Sequence, residues 1–205
     1  MSPEFTPLRK EDVHADPLRQ FAAWFEDAGA AGIRAPEAMA LATATAAGAP
    51  SVRMVLMKGF DERGFTFFTN YESRKGRELE QNQRAALLFH WDALGRQVRI
   101  EGTVSRLEPD ETTQYIRSRP RQSQLSALAS PQSRPVESRA ALEAAVAELA
   151  ARHADGELPL PESWGGYRLR PEAFEFWQHR DDRLHDRLAY RPAAGGGWAI
   201  ERLAP

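Results

Sequence analysis

A basic segment, NYESRKGR at residues 70–77, carries the clearest chemical signal in the sequence. Ser73 is a good N-cap, so Arg74 and Lys75 would fall in the first turn of a helix. Cations at this position oppose the helix dipole, which favours negative charge there. A bound phosphate would remove the conflict, because two cations and free backbone N–H groups suit an anion. A solvated basic helix start that tolerates its dipole cost is the alternative.

A second basic cluster lies in QYIRSRPRQSQ, where Pro120 should end one helix and a new helix should follow. Hydroxyl and guanidinium groups gathered at such a junction suit a phosphate dianion. A basic surface turn without a ligand explains the composition equally well. The residues concerned are Tyr115, Arg117, Arg119, Arg121 and Ser123.

The stretch SVRMVLMKGF reads as a strand that carries a cation at each end. Arg53 and Lys58 are five residues apart, which on a strand places their side chains on opposite faces. Either each charge caps an exposed strand end, or the two charges meet two different anions.

The segment FWQHRDDRLHDR at residues 176–187 mixes aromatic, acidic and basic side chains. A metal site is one interpretation, but the arginines would repel a cation and the spacing suits no common zinc motif. We therefore expect no metal here and expect the acids to pair with arginines. Trp177 would then serve as an aromatic wall, and His185 with one or two arginines would face a ligand. The metal interpretation would use His179, Asp181, His185 and Asp186.

No GxSxG-type nucleophile and no glycosidase-like carboxylate pair is found in the sequence. Anion sites together with aromatic walls favour a phosphorylated planar ligand, with the difficult chemistry supplied by a cofactor. The 205 residues contain no cysteine, which excludes disulfides and thiolate chemistry, and the net charge of −2 argues against a general nucleic-acid binder. No apolar run approaches the roughly 20 residues of a membrane span, and the N-terminus lacks a signal core. We expect a cytoplasmic protein with neither membrane nor nucleic acid as a partner.

Hydrophobic periodicity predicts a framework that is mainly β with flanking helices. Residues 1–15 read as a mobile lead-in and residues 16–205 as a single domain. Asp16 and Pro17 should begin an amphipathic helix that ends near Gly29. Short connections between alternating segments predict an antiparallel meander and a small closed or half-closed barrel. The predicted strands are 40–46, 52–60, 65–69, 85–91, 97–107, 166–170, 173–178, 187–191 and 198–203, and the helices of a predicted insert are 109–117, 122–129 and 139–153.

Taken in order, these motifs resemble the pyridoxamine/pyridoxine 5′-phosphate oxidase family. They are RMVLMKGFDERGF, FFTNYESRKGREL, RQVRIEG, YIRSRPRQSQ, ASPQS, WGGYRL, FEFWQ and RLHDRL, and the match runs from about Asp16 to Pro205. The resemblance implies an FMN-binding split β-barrel and a homodimer with FMN at the interface. It also implies oxidation of pyridoxamine and pyridoxine 5′-phosphates to pyridoxal 5′-phosphate, with O2 as electron acceptor giving H2O2, and NH3 from the amine.

The resemblance assigns residues of three kinds, some of them supplied by the partner chain. Arg183 and His185, which would close over the substrate ring, are the predicted catalytic residues. The predicted FMN-binding residues are Arg53, Met54, Val55, Leu56, Met57, Lys58, Phe68, Thr69, Arg74, Lys75, Gln97, Gln132, Ser133, Trp177 and Arg187. The predicted substrate-binding residues are Lys58, Tyr115, Arg119, Ser123, Arg183, Leu184 and His185.

Two other functions compete with this interpretation. A related split-barrel FMN oxidase of the phenazine-biosynthesis type would act on another planar ring. A non-catalytic protein that binds flavin or pyridoxal phosphate would show no oxygen uptake with the vitamer. The set Tyr115, Arg119, Ser123 and Arg183-Leu184-His185 favours a phosphorylated vitamer as substrate.

Overall fold

The computed structural model describes residues 6–154 and 156–205, and this part of the chain forms five α-helices and nine strands. The helices are α1 (Pro17–Ala30), α2 (Arg74–Gln81), α3 (Pro109–Ser118), α4 (Arg121–Ala129) and α5 (Arg139–Arg152). The strands are β1 (Ala38–Ala44), β2 (Pro50–Leu56), β3 (Gly59–Asp61), β4 (Gly64–Asn70), β5 (Arg84–Trp91), β6 (Arg96–Arg106), β7 (Trp164–Gln178), β8 (Asp186–Pro192) and β9 (Trp198–Arg202).

A two-residue connection closes the sheet into a half-barrel. The strands run in the order β2-β1-β5-β6-β7-β4-β3, so β2 and β3 lie at opposite ends of the path although only Met57 and Lys58 separate them in sequence. The Met57 N–H donates to the Glu37 carbonyl at 2.9 Å, next to β1, and the Lys58 N–H donates to the Thr66 carbonyl of β4 at 2.8 Å. The chain therefore changes its pairing partner within one peptide unit.

This change of partner corrects two predictions. The single strand predicted over 52–60 is wrong, because it is divided into β2 and β3 at Met57. Lys58 consequently lies outside β2. The alternation of side chains along that strand therefore does not determine the face on which Lys58 lies relative to Arg53. The two side chains are nevertheless in different surroundings: that of Arg53 is mostly buried, and that of Lys58 is exposed.

One long strand, β7, replaces the two strands predicted over 166–170 and 173–178. Its first half pairs with β4 and its second half with β8, while β6 runs beside both halves. The register with β6 shifts between Glu101 and Gly102, where Glu172 has no partner. A bulge of this kind bends a strand without ending it, which is why Pro171 does not interrupt β7.

An aromatic core lies between α1 and the sheet. Phe21 of α1 is fully buried, and its ring meets those of Phe60, Phe65 and Phe89 edge-on at centroid distances of 5.0, 4.9 and 4.9 Å. As predicted, Asp16 caps α1, with its carboxylate accepting from the Leu18 N–H at 3.0 Å. Edge-to-face contacts add to the area these rings bury, so α1 covers one opening of the half-barrel.

The described part of the predicted lead-in packs against the C-terminal strands. Leu8 is buried, its N–H donates to Asp186 at 3.1 Å, and its carbonyl accepts from Arg202 at 2.8 Å. The Tyr190 hydroxyl donates to the His14 carbonyl at 2.8 Å. Residues 6–15 are therefore held against β8 and β9, whereas residues 1–5 lie outside the described residues.

The predicted helical insert is present as α3, α4 and α5. Helix α5 buries no residue fully, and it packs on α4 across a groove of about 730 Å³ that Leu142 and Val146 line. In the described ranges, no helix is long and apolar enough to cross a membrane.

A substitution at Gly76 would test how closely α2 packs against the chain that precedes it. A Cβ atom at this position would lie 2.1 Å from the backbone carbonyl oxygen of Tyr71. Because backbone cannot swing away as a side chain can, α2 would have to shift. We expect Gly76→Ala to lower the free energy of unfolding by about 2 kcal/mol or more, as measured by chemical denaturation.

Gly29→Ala in α1 is the matched control, since nothing lies within 4 Å of the added methyl group. Helix propensity alone predicts a gain of up to about 1 kcal/mol there. Equal effects of the two substitutions would contradict the close packing of α2.

Candidate functional site

A cavity of about 580 Å³ lies between β2, β4, the start of α2 and the junction of α3 with α4. Most of the predicted ligands of β2, β4 and the helical junction face it. The lining residues that sequence analysis predicted are Met54, Val55, Leu56, Lys58, Phe68, Thr69, Lys75, Tyr115, Arg119, Ser123 and Gln132, and those it missed are Ser118, Pro120 and Trp164.

The first turn of α2 forms one end of this cavity. Ser73 caps the helix as predicted, with its hydroxyl oxygen accepting from the Gly76 N–H at 3.2 Å. Arg74 and Lys75 then occupy the first turn, which contains no acidic residue, although Glu78 on the next turn pairs with Arg74 at 2.9 Å. The conflict with the helix dipole that the sequence indicated therefore remains at Lys75.

Lys75 directs its ammonium group to neutral oxygens. The Nζ atom donates to Thr69 Oγ1 at 3.0 Å and to Gln132 Oε1 at 2.9 Å. Among the described residues no carboxylate lies within 4 Å of it. Burial, and then the nearby charge of Arg53, lower the pKa of Lys75 to about 8. A partly buried cation without a counter-charge is suited to an anionic ligand.

Glu78, which sequence analysis missed, joins two of the predicted cofactor ligands. Its Oε1 accepts from Arg74 Nε at 2.9 Å, and its Oε2 lies 3.3 Å from Arg53 Nη2. The hydroxyls of Thr43 and Ser51, which face each other across β1 and β2, also donate to Oε2. Burial acts to raise the pKa of Glu78, but these hydrogen bonds together lower it to about 2. The four-residue spacing from Arg74 is the sequence signal that could have found it.

Arg119 enters the opposite side of the cavity from the end of α3. Its guanidinium carbon lies 4.4 Å from the centroid of the Trp164 ring, a cation–π contact. Its Nη1 atom is buried and has no hydrogen-bond partner within the described ranges. A buried donor without an acceptor is costly, so this atom marks a place where an acceptor such as a phosphate oxygen fits.

Tyr115 stacks on Phe68 with ring centroids 3.6 Å apart and an interplanar angle of 18°. Burial raises the pKa of Tyr115, while the charge of Arg119 opposes the rise. The phenol therefore keeps its proton at neutral pH and can donate a hydrogen bond. Lys58 and Ser123 also line the cavity, so all four predicted substrate-phosphate ligands contribute to it.

A second group of predicted residues lies at the far end of β7, apart from the predicted ligands that line the cavity. Its members are Gln97, Trp177, Arg183, Leu184, His185 and Arg187. The ring of His185 is 4.6 Å from that of Trp177 and 5.2 Å from that of His179, centroid to centroid. The Arg180 N–H donates to His185 Nδ1 at 3.2 Å. In a neutral imidazole this bond leaves the proton on Nε2.

The other members of the second group surround these rings. Arg183 is exposed and has a positive φ of 62°, and Leu184 is 70% exposed. Gln97 is the register partner of Trp177 on β6. Arg187 donates to Glu175 at 2.7 Å, and no residue of this group lines the cavity of about 580 Å³.

The two groups are separated by most of the length of β7. Trp164 lines the cavity, and Trp177 follows it by thirteen residues on the same strand, or about 40 Å of strand at about 3.3 Å per residue. One small ligand cannot contact both groups within a single chain.

Outside the second group, four predicted ligands have side chains that do not line the cavity. One is Arg74, whose side chain is 61% exposed and pairs with Glu78. Met57 is 5% exposed and belongs to the hydrophobic core. Ser133 is exposed, with a φ of 69°. Arg53 pairs with Glu78 at 3.3 Å, and its charge acts on Lys75 from there.

The outer face of β2 and β5 carries an apolar patch of exposed side chains. Val52, Met54, Leu56 and Leu88 are 68, 65, 42 and 36% exposed. Met54 and Leu88 are both register partners of Ala40 on β1, so the patch is continuous across three strands. Met54 and Leu56 also line the cavity, so the patch borders it. Contiguous apolar surface of this kind is typical of an interface.

Two family sequence models match this chain, each over a different region. A sequence model described as pyridoxamine 5′-phosphate oxidase matches residues 25–153, and one described as the pyridoxine 5′-phosphate oxidase C-terminal dimerisation region matches residues 164–205. The pyridoxine/pyridoxamine 5′-phosphate oxidase of Herminiimonas arsenicoxydans is 56% identical over 198 residues, covering 97% of this chain and 93% of that protein. The protein of the same name from Salinibacter ruber is 55% identical over 200 residues, which cover 97% of this chain and 93% of that protein.

Two solved structures have the same fold as this chain. PhzG from Burkholderia lata 383, in complex with tetrahydrophenazine-1-carboxylic acid, has a TM-score of 0.90 at 36% identity and covers 98% of this chain and 99% of that chain. A pyridoxamine 5′-phosphate oxidase-related, FMN-binding protein from Nostoc punctiforme PCC 73102 has a TM-score of 0.71 at 18% identity, covering 92% and 97%. The predicted split-barrel fold is confirmed. The chain belongs to the pyridoxine/pyridoxamine 5′-phosphate oxidase family.

Proposed function

We propose that this protein oxidises pyridoxamine 5′-phosphate and pyridoxine 5′-phosphate to pyridoxal 5′-phosphate, with FMN as cofactor and O2 as electron acceptor. One observation carries the proposal: two separate sets of cations line one cavity of about 580 Å³. Lys75 belongs to one set, and Lys58 with Arg119 to the other. Two anion sites on a shared cavity suit a phosphorylated cofactor beside a phosphorylated substrate.

The start of α2 would hold the FMN phosphate. Lys75 would give up its contacts with neutral oxygens for a charge-assisted bond, and Arg74 would contribute its guanidinium beside the free N–H groups of the first turn. The chemistry that FMN supplies when bound is two-electron oxidation of the substrate carbon C4′, with O2 taking up the electrons as H2O2.

The junction of α3 and α4 would hold the substrate phosphate. Arg119 Nη1 is a buried donor without a partner in the described chain, and Trp164 fixes the plane of its guanidinium. The protonated Tyr115 hydroxyl and Ser123 would donate to the same phosphate, and Lys58 would add charge. Anchoring both phosphates orients the two rings, which removes much of the entropic cost of bringing them together.

A second copy of the chain would supply the rest of the site. Covering the outer-face patch with its own copy in a two-fold dimer buries Val52, Met54, Leu56 and Leu88 on both sides. The region matched as a dimerisation region, residues 164–205, contains every member of the second group except Gln97. Since the patch borders the cavity, a partner seated there could bring its second group to Met54 and Leu56.

Within that second group, His185 and Arg183 would act on the substrate ring. Because His185 Nδ1 accepts a backbone N–H, the imidazole presents a proton on Nε2 and can donate to a ring oxygen. Arg183, exposed in a left-handed turn, would place its cation over the ring and orient C4′ towards the flavin.

Anaerobic mixing tests the proposed reaction directly. Pyridoxine 5′-phosphate added without oxygen to the FMN-loaded protein should bleach the flavin absorbance, and air should restore it with formation of pyridoxal 5′-phosphate and H2O2. The non-phosphorylated vitamer serves as the control and should bleach poorly. Absence of bleaching with both phosphorylated vitamers would refute the oxidase function.

An oxidase for another planar ring is the second candidate function. It is favoured by the TM-score of 0.90 to PhzG, whose structure contains tetrahydrophenazine-1-carboxylic acid. That ligand is a carboxylic acid without a phosphate, whereas the cations at the α3–α4 junction suit a dianion. Faster bleaching by a dihydrophenazine carboxylate than by either vitamer would favour this candidate.

Mixed dimers test whether the two groups of residues come from different chains. Arg119→Ala and Arg183→Ala should each have low activity as pure proteins. When the two are unfolded and refolded together, each mixed dimer should regain one site with both arginines intact, because its Arg119 and Arg183 come from different chains. Activity of the mixture should rise to about a quarter of that of the unsubstituted protein, as measured by peroxide release.

The control is a mixture of Arg119→Ala with Lys58→Ala, two residues that line the same cavity of one chain. Both substitutions fall in the same half-site, so no mixed dimer contains an intact site. Recovery in this control, or none in the Arg119 and Arg183 mixture, would contradict the proposed division of the site.

The lowered pKa of Lys75 predicts that binding of FMN depends on pH. Cofactor-free protein has Lys75 protonated below pH 8, ready for the phosphate, and neutral above it. Binding above that pH must take up a proton, so the Kd for FMN should rise by up to about tenfold per pH unit between pH 8 and 10. Fluorescence titration of FMN measures the change.

Lys75→Arg is the matched control, because a guanidinium stays charged throughout this range. Its Kd for FMN should stay nearly constant where that of the unsubstituted protein rises. A flat profile for the unsubstituted protein would remove Lys75 from the phosphate site.

A further inference from the structure

Glu78 is a buried carboxylate one turn from a helix start that suits an anion. It is 4% exposed, and it lies on α2 four residues after Arg74. A buried carboxylate is costly unless its oxygens are paired. Its position therefore raises the question of why the chain keeps a negative charge beside the proposed phosphate site.

The contacts of Glu78 show which groups it holds. Oε1 accepts from Arg74 Nε at 2.9 Å, and Oε2 faces Arg53 Nη2 at 3.3 Å. The hydroxyls of Thr43 and Ser51 complete the contacts of Oε2. Arg53 comes from β2 and Arg74 from α2, so one carboxylate links two arginines that belong to separate elements.

Without such a link Arg74 would be less ordered, whereas Arg53 is also held by the Leu41 carbonyl at 3.1 Å and by the hydroxyls of Thr43 and Ser51. The Arg74 side chain is 61% exposed, although its partner is buried, and long side chains lose much rotamer freedom when a ligand fixes them. Groups that are already held in place do not incur that loss at the moment of binding. The pKa of Glu78, lowered to about 2, keeps the carboxylate charged at neutral pH.

We propose that Glu78 is a positioning residue, which holds Arg74 in a preformed arrangement for the FMN phosphate and ties α2 to Arg53 of β2. This inference rests on the proposed function, in which the start of α2 binds that phosphate. Glu78 does not touch the cofactor in this scheme, and it acts through the guanidinium group of Arg74.

Binding of FMN and of riboflavin to the full-length protein separates this role from a merely structural one. Riboflavin has the same ring and no phosphate, so the ratio of its Kd to that of FMN reports the phosphate site alone. In Glu78→Gln we expect this ratio to fall by about tenfold or more, as for loss of a charge-assisted contact, while the Kd for riboflavin stays nearly constant.

Glu80→Gln is the matched control. Glu80 lies on the exposed side of α2, where it pairs with Arg106 at 2.8 Å, and its substitution should leave both dissociation constants unchanged. If Glu78→Gln does not fold, Glu78→Asp keeps the charge with a shorter reach, and its ratio should still fall.

Three results would overturn the role of Glu78. An unchanged ratio, or an equal loss for both ligands, would make Glu78 a structural residue only. A ratio that rises would mean that Glu78 merely repels the phosphate. If the unsubstituted protein itself binds riboflavin as tightly as FMN, the proposed phosphate site at α2 fails first, and the inference fails with it.

Discussion

The switch of backbone pairing at Met57 and Lys58 is the constraint on which the rest of the structure depends. The N–H of Met57 is bonded beside β1, and the N–H of Lys58 is bonded to β4, so the two ends of a seven-strand path meet across two residues. Every backbone group there must find a partner on one side or the other. Closure brings β2 and β4 together, and the cavity lies where they meet, with Lys58 at the seam.

Electrostatics distinguishes the two ends of that cavity. At the start of α2, Glu78 is fully paired and ionised, while Lys75 keeps a cation among neutral oxygens and its pKa is lowered to about 8. At the α3–α4 junction, Arg119 contacts an aromatic face, and none of the described acidic residues pairs with it. A cation without a carboxylate partner can bind and release an anionic ligand. The arginines in the surface ion pairs, in contrast, already have a carboxylate partner.

Local rules predicted much of this chain from its sequence. Asp16 and Ser73 cap helices as expected, because capping depends on residues a few positions apart. The strand predicted over 52–60 failed because its division is imposed by β4, which the sequence of the strand itself does not encode. The same holds for β7, where a bulge opposite Gly102 carries the strand past Pro171.

In the site too, residues that belong to local motifs were predicted, and residues that depend on contacts between distant elements were not. Motifs predicted Lys75, Tyr115 and Arg119 as ligands, and all three line one cavity. The residues alone had left two interpretations of the helix start, an anion site and a solvated basic turn. Glu78 and Trp164 were missed because their roles come from contacts between distant elements: Glu78 with β1 and β2, and Trp164 with the end of α3.

The uninterrupted length of β7 has a consequence for how this sequence can vary. The number of residues in the strand sets the distance between Trp164 and Trp177. It also sets the face on which each side chain lies, because side chains alternate along a strand. Gain or loss of one residue would turn one of the two tryptophans to the wrong face, unless the bulge at Glu172 absorbed the change. Insertions and deletions of a single residue should therefore be rare along β7.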